Sequence, residues 1–178
     1  MKRPRFTTRM LAVNAMLAAV YAVLTIALAP ISYGAVQFRV SEALTIAPFF
    51  LPGTVWGLWA GCVLANLFTG NLFDIIFGAL ATFLAALLTA WYGRQGNSFR
   101  TRVLACLMPV LFNAVIIGAV ITWGYEGQNV FEHPDVFAFN ALTVGLGEAG
   151  VLYLIGYPLM KYLPNVKRFR EFLEKCKE

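Results

Sequence analysis

Thirteen of the 14 lysine and arginine residues fall in three clusters: the N-terminus, residues 94–102, and the stretch from Lys161 onward. Long uncharged runs separate them. The exception, Arg39, stands in an apolar region three residues before Glu42. Basic clusters fix which ends of hydrophobic runs face the cytosol. A charge pair stranded between such runs is expensive, and therefore marks function. Hydrophobic residues make up 60% of the chain and charged residues 13%, against roughly 25% charged in soluble domains. The expected fold is all-α and membrane-integral, one transmembrane domain over residues 1–178.

The net charge of +5 does not point to nucleic acid. The basic residues border apolar spans, which suits orientation in the bilayer and contact with anionic lipid. Cys62 and Cys106 lie in apolar runs and Cys176 in the basic tail, a spacing that fits neither a disulfide framework nor a zinc site. The first apolar run follows Arg3, Arg5 and Arg9 and is longer than a signal-peptide core, so it reads as a retained signal-anchor helix. An enzyme is not expected. The only histidine, His133, has no ligand cluster around it, and no lysine between Lys2 and Lys161 could serve a phosphate loop. No cofactor is implied.

Counting spans is a parity problem. Residues 10–29, 73–92, 103–123 and 137–160 are each long enough to cross about 30 Å of hydrocarbon. Residues 43–68 contain Pro48, Pro52 and Gly53, and read as one helix they would place the basic loop 94–102 outside. Read as two short helices, 41–51 and 53–68, they give a six-helix transmembrane bundle. Both termini and the basic tail 161–178 are then cytosolic, and Glu126, Glu132 and Asp135 lie outside. Proline and glycine break helices, which favours six.

Between the first two spans, Val36, Phe38 and Val40 alternate with Gln37 and Arg39. Period-two alternation suits an extended segment, and such backbone survives at membrane depth only buried in protein or lining a cavity. The expected element is an extended outer loop, its polar face turned into a pocket; an ordinary exposed loop with a snorkelling Arg39 is the plainer reading. Other candidate binding residues are Glu42, Asn66, Asp74, Asn113, Asn140 and Glu148. Asp74 opens the fourth span, where a carboxylate either compensates the helix dipole or binds ligand. Asn140 and Glu148 lie about 80° apart on one helix and can face one interior. Gly145, Gly147 and Gly150 permit close approach near Glu148. A membrane glutamate needs a partner, a proton or a ligand, and Arg39 is the obvious structural mate.

The first span also holds Ala15-x-x-x-Ala19 and Ala18-x-x-x-Ala22. Small residues four apart make a flat face for another helix, whether within the bundle or on a separate membrane subunit.

A six-span chain of this size with such a face resembles the substrate-binding S component of an energy-coupling factor (ECF) transporter. Residues 34–45, GAVQFRVSEALT, resemble the QueT-type queuosine-precursor branch, as do Asn71-Leu72-Phe73-Asp74, Gly78-Ala79-Leu80-Ala81-Thr82 and Gly147-Glu148. The resemblance implies a prokaryotic plasma-membrane protein that binds a small molecule from outside. Its implied partners are a transmembrane coupling subunit and two cytosolic ATPases, whose hydrolysis topples the S component in the membrane. The implied ligand is a 7-deazaguanine: queuine or its aminomethyl or cyano precursor. Its guanine edge has paired N–H donors that a carboxylate accepts in parallel, beside a carbonyl that Arg, Asn or Gln can serve. Tyr33, Phe38 or Trp123 would stack on the ring. A thiamine-like cation would use similar groups, a proton-coupled secondary transporter could titrate Glu148, and a structural scaffold would explain the alanines alone.

Overall fold

The computed structural model describes residues 7–32 and 38–177, and these contain no β-strand. Seven principal helices follow one another: α1 (Thr8–Ala27), α2 (Val40–Phe50), α3 (Val55–Leu67), α4 (Asp74–Arg94), α5 (Phe99–Tyr125), α6 (Pro134–Asn165) and α7 (Lys167–Lys177). Among these, α1, α4, α5 and α6 are long and apolar enough to cross a membrane. Arg9 meets Lys175 and Arg102 meets Tyr157 at a basic end, while Asp74 meets Tyr125 and Glu126 meets Asn140 at an acidic end.

Local chemistry sets the boundaries. Thr7 caps α1 by accepting the Met10 amide at 3.2 Å. Ser98 and Thr101 form a reciprocal capping box, so α5 starts four residues before the expected span. Past α1 the chain stays helical through Ser32, and Val36 and Gln37 of the alternating segment lie outside the described residues. Leu28 O accepts the amides of Ile31 and Ser32 at 3.0 and 2.9 Å, and Pro30 has no amide to leave unpaired there. Arg39, just before α2, is extended, with φ −90° and ψ 90°. At Leu51 the backbone turns out of helical geometry, and Pro52–Thr54 re-enter a tight turn before α3.

Small residues hold the helices together. On α1 the buried stripe is Asn14, Ala18, Tyr21, Ala22 and Thr25. It meets Gly57-x-x-x-Gly61 on α3, where a Cβ at Gly61 would lie 2.8 Å from Tyr21 Cβ and 2.9 Å from Ala18 O. Asn14 Oδ1 also accepts the Gly57 amide at 2.5 Å, satisfying a donor left over in the first turn of α3. Ala18 and Ala22 are thus covered by the bundle, while Ala15 and Ala19 remain exposed. A second crossing pairs α5 with α6: a Cβ at Gly118 would meet Ala141 Cα at 2.8 Å, and Gly145 faces Ala114.

Pro109 inside α5 removes the amide that would bond Ala105 O. Thr89 Oγ1 on α4 donates to that carbonyl instead, at 3.2 Å. Thr89→Val should therefore lower stability by about 1–3 kcal/mol, the range for a buried acceptor left unpaired. Adding Pro109→Ala should recover most of the loss, because it restores the amide. Thermal unfolding in detergent would check this, and equal midpoints for parent and Thr89→Val would refute the role.

At the basic end, α7 folds back under the bundle. Phe169 packs edge-on against Phe50, with centroids 5.3 Å apart, Cys176 is buried, and the Arg9 guanidinium donates to Lys175 O.

Candidate functional site

Charged and amide side chains converge where α2 begins. Arg39, Glu42, Asn66, Asn113 and Glu148 are at most 3% exposed. Isolated, such groups would each be strongly unfavourable in a low-dielectric interior. Their surroundings are built around two carboxylates. Glu42 Oε1 accepts from the Tyr21 hydroxyl of α1 and from Thr82 Oγ1 of α4 at 3.3 Å. Glu148 Oε1 accepts from Asn113 Nδ2 of α5 at 3.1 Å. Arg39, Glu42 and Glu148 are buried near enough for their charges to act on one another.

The neighbouring polar groups tie this centre to the helices. Thr25 Oγ1 and Ser41 Oγ lie 2.6 Å apart, linking α1 to the first turn of α2. Thr82 also contacts Cys62 Sγ at 3.3 Å. Asn66 Nδ2 donates to Asp74 O at 2.8 Å, reaching it across Gly78, where a Cβ would collide with the amide nitrogen. Phe38 lies against Gly150 on α6, two residues past Glu148.

Four buried atoms in this centre have no hydrogen-bond partner among the described residues: Glu42 Oε2, Glu148 Oε2, Asn66 Oδ1 and Asn113 Oδ1. All four are acceptors. The arrangement can receive a ligand rich in N–H donors, and a buried acceptor left unpaired costs about 1–3 kcal/mol, which a donor-bearing ligand would relieve.

Other candidates sit elsewhere. Asp74 is half-buried, and its Oδ2 accepts from Tyr125 at 2.5 Å. Just before it, Asn71 Oδ1 accepts the Phe73 amide at 2.9 Å, and Asp74 stands in the first turn of the helix. Asn140 is buried but commits its amide hydrogens to Thr122 and Glu126, at 3.1 and 3.0 Å. These pairs fasten α4, α5 and α6 at the acidic end. Trp123 is 59% exposed and packs on Phe73, so it does not line the interior as a stacking residue. It stands in the one-residue-wider turn Ile121–Tyr125. Gln37 and Tyr33 lie outside the described residues. A groove of about 280 Å³ between α3 and α4, walled by Trp56, Phe83, Trp91 and Arg94, contains none of the interior polar groups.

Tyr21, Thr82 and Cys62 were not legible as site residues, since hydroxyls and thiols are ordinary inside apolar runs. One signal was available: Asn14, Tyr21 and Thr25 share a face at spacings of 7 and 4, which fixes the inward side of α1.

Residues 11–165 match the sequence family described as QueT transporter. A relative from Lactococcus lactis subsp. cremoris (strain MG1363), named queuosine precursor transporter QueT, is 39% identical over 154 residues, covering 79% of this chain and 83% of that protein. The chain belongs to the QueT transporter family. Membership makes it a multi-pass membrane transporter rather than an enzyme, in keeping with its four long apolar helices. The matched span contains every residue of the buried polar centre. No solved structure matches the chain.

Proposed function

We propose that this protein is the substrate-binding S component of an ECF transporter and takes up a 7-deazaguanine precursor of queuosine. The single observation that carries this reading is the closed polar centre around Arg39, Glu42, Asn66, Asn113 and Glu148, in which one oxygen of each carboxylate and of each amide is an acceptor with no hydrogen-bond partner among the described residues. A guanine-type edge supplies adjacent N–H donors to such atoms. The name of the Lactococcus lactis relative points to the same substrate class. In this reading the six helices α1–α6 form one membrane domain in a prokaryotic plasma membrane, with the basic end and both termini cytosolic. Ligand enters from the acidic end past the Phe38–Arg39 segment.

A transmembrane coupling subunit and two cytosolic ATPases supply the energy. The covered position of Ala18 and Ala22 leaves Ala15 and Ala19 as the flat face for the coupling subunit. Purified chain should bind deazaguanine by itself, whereas cellular uptake should require the co-expressed ATPases. Ala15→Leu with Ala19→Leu should abolish co-purification with the coupling subunit and reduce uptake at least tenfold, while ligand affinity stays within about twofold. Uptake by the chain alone that collapses with the proton gradient would replace this reading with a secondary transporter. Intact assembly of the double variant would move the interface to another face.

A further inference from the structure

The two interior carboxylates are not equivalent, and we propose that they recognise different parts of one ligand. Glu148 takes the paired N–H edge of a flat heterocycle, and Glu42 takes an ammonium group on the same molecule. This assignment rests on the reading of the chain as a 7-deazaguanine-binding subunit.

The distinction comes from lone pairs. A carboxylate offers about four acceptor positions, two per oxygen. At Glu42, Oε1 already accepts from Tyr21 and Thr82, which fills it. Only Oε2 is left. Two parallel N–H groups need both oxygens of one carboxylate, so Glu42 is reduced to a point contact of the kind an ammonium makes. At Glu148, Oε1 accepts one bond, from Asn113, and Oε2 accepts none. Both oxygens keep capacity, as a parallel clasp requires.

Each of the two amides adds an acceptor. Asn113 gives its NH2 group to a carboxylate, and Asn66 gives its NH2 group to the Asp74 carbonyl. Each partner can only accept, which fixes the orientation of both amides and leaves each Oδ1 free as an acceptor. Charge leads to the same conclusion. Glu42, Glu148 and Arg39 are all buried, near enough for their charges to act on one another. Two acids against one guanidinium are balanced by a ligand that brings one positive charge, and a neutral ligand leaves the imbalance in place.

The test uses the full chain in detergent, titrated with 7-aminomethyl-7-deazaguanine, which carries an ammonium, and 7-cyano-7-deazaguanine, which does not. The parent chain should bind the aminomethyl compound at least tenfold more tightly. E42Q should remove most of that preference by weakening the aminomethyl compound far more than the cyano one. E148Q should weaken both by similar factors and keep the preference. If E42Q does not fold, E148Q decides alone, since loss of preference in that variant inverts the assignment. A preference that survives E42Q also overturns it, as does a folded parent chain that binds both compounds equally. A folded parent chain that binds neither removes the deazaguanine reading and this assignment together.

Discussion

Gly61→Leu should prevent the bundle from assembling, with the largest loss expected of any single substitution. The atoms that a Cβ would meet there are Tyr21 Cβ and the backbone of Ala18, and backbone cannot swing aside. Overpacking of a tight interior generally costs about 1–3 kcal/mol. Here the whole α1–α3 crossing must also open, so the cost should exceed about 3 kcal/mol, a large part of the 5–15 kcal/mol that domains typically possess. Separation would break the Asn14 bond to the Gly57 amide and draw Tyr21 away from Glu42. Leu64→Ala on the same helix is the control, since Leu64 is 50% exposed and should change little. Yield of monodisperse protein in detergent measures both. A Gly61→Leu chain as well behaved as the control would show that α1 and α3 are not packed as described.

Arg39→Met should be the most damaging change among the polar residues. It leaves Glu42 and Glu148 buried without their shared counter-charge, a loss of about 3–5 kcal/mol when one partner of a buried ion group is removed. Adding Glu42→Gln to the same chain should restore most of the stability, because the interior charge is then reduced on both sides. The denaturation midpoint of parent, single and double variants forms the cycle. Additive losses, with no rescue in the double variant, would mean that Arg39 does not compensate Glu42.

How much of this was legible in the sequence depended on how each residue signals. Arg39, Glu42 and Glu148 stood out because charge inside apolar sequence is rare, and the structure buries all three. The interruption at Leu51–Thr54 was visible because Pro52 and Gly53 act locally on the backbone. Residues whose meaning lies in rotation about a helix axis were harder. Trp123 looked suited to stacking, but a single widened turn is enough to redirect a side chain. The two alanine pairs overlap on a helical wheel, and only the long-range contact with Gly57 and Gly61 separates them. That Gly-x-x-x-Gly pattern was itself obscured among 15 glycines. Asn71 and Asp74 are three residues apart at one helix start, where sequence left Asp74 open between dipole compensation and ligand binding and did not mark Asn71, whose Oδ1 accepts the Phe73 amide.

The fastening of α7 beneath the bundle has a practical corollary. With Phe169 on Phe50, and Arg9 bonded to the Lys175 carbonyl, the start of α1 and the end of α7 are held as one body. A pair of probes near residues 9 and 175 would keep a constant separation however the whole molecule tilts in its lipid, and so would serve as a built-in ruler. Any change in their spacing would report an internal rearrangement, whereas reorientation would register only against the plane of the bilayer.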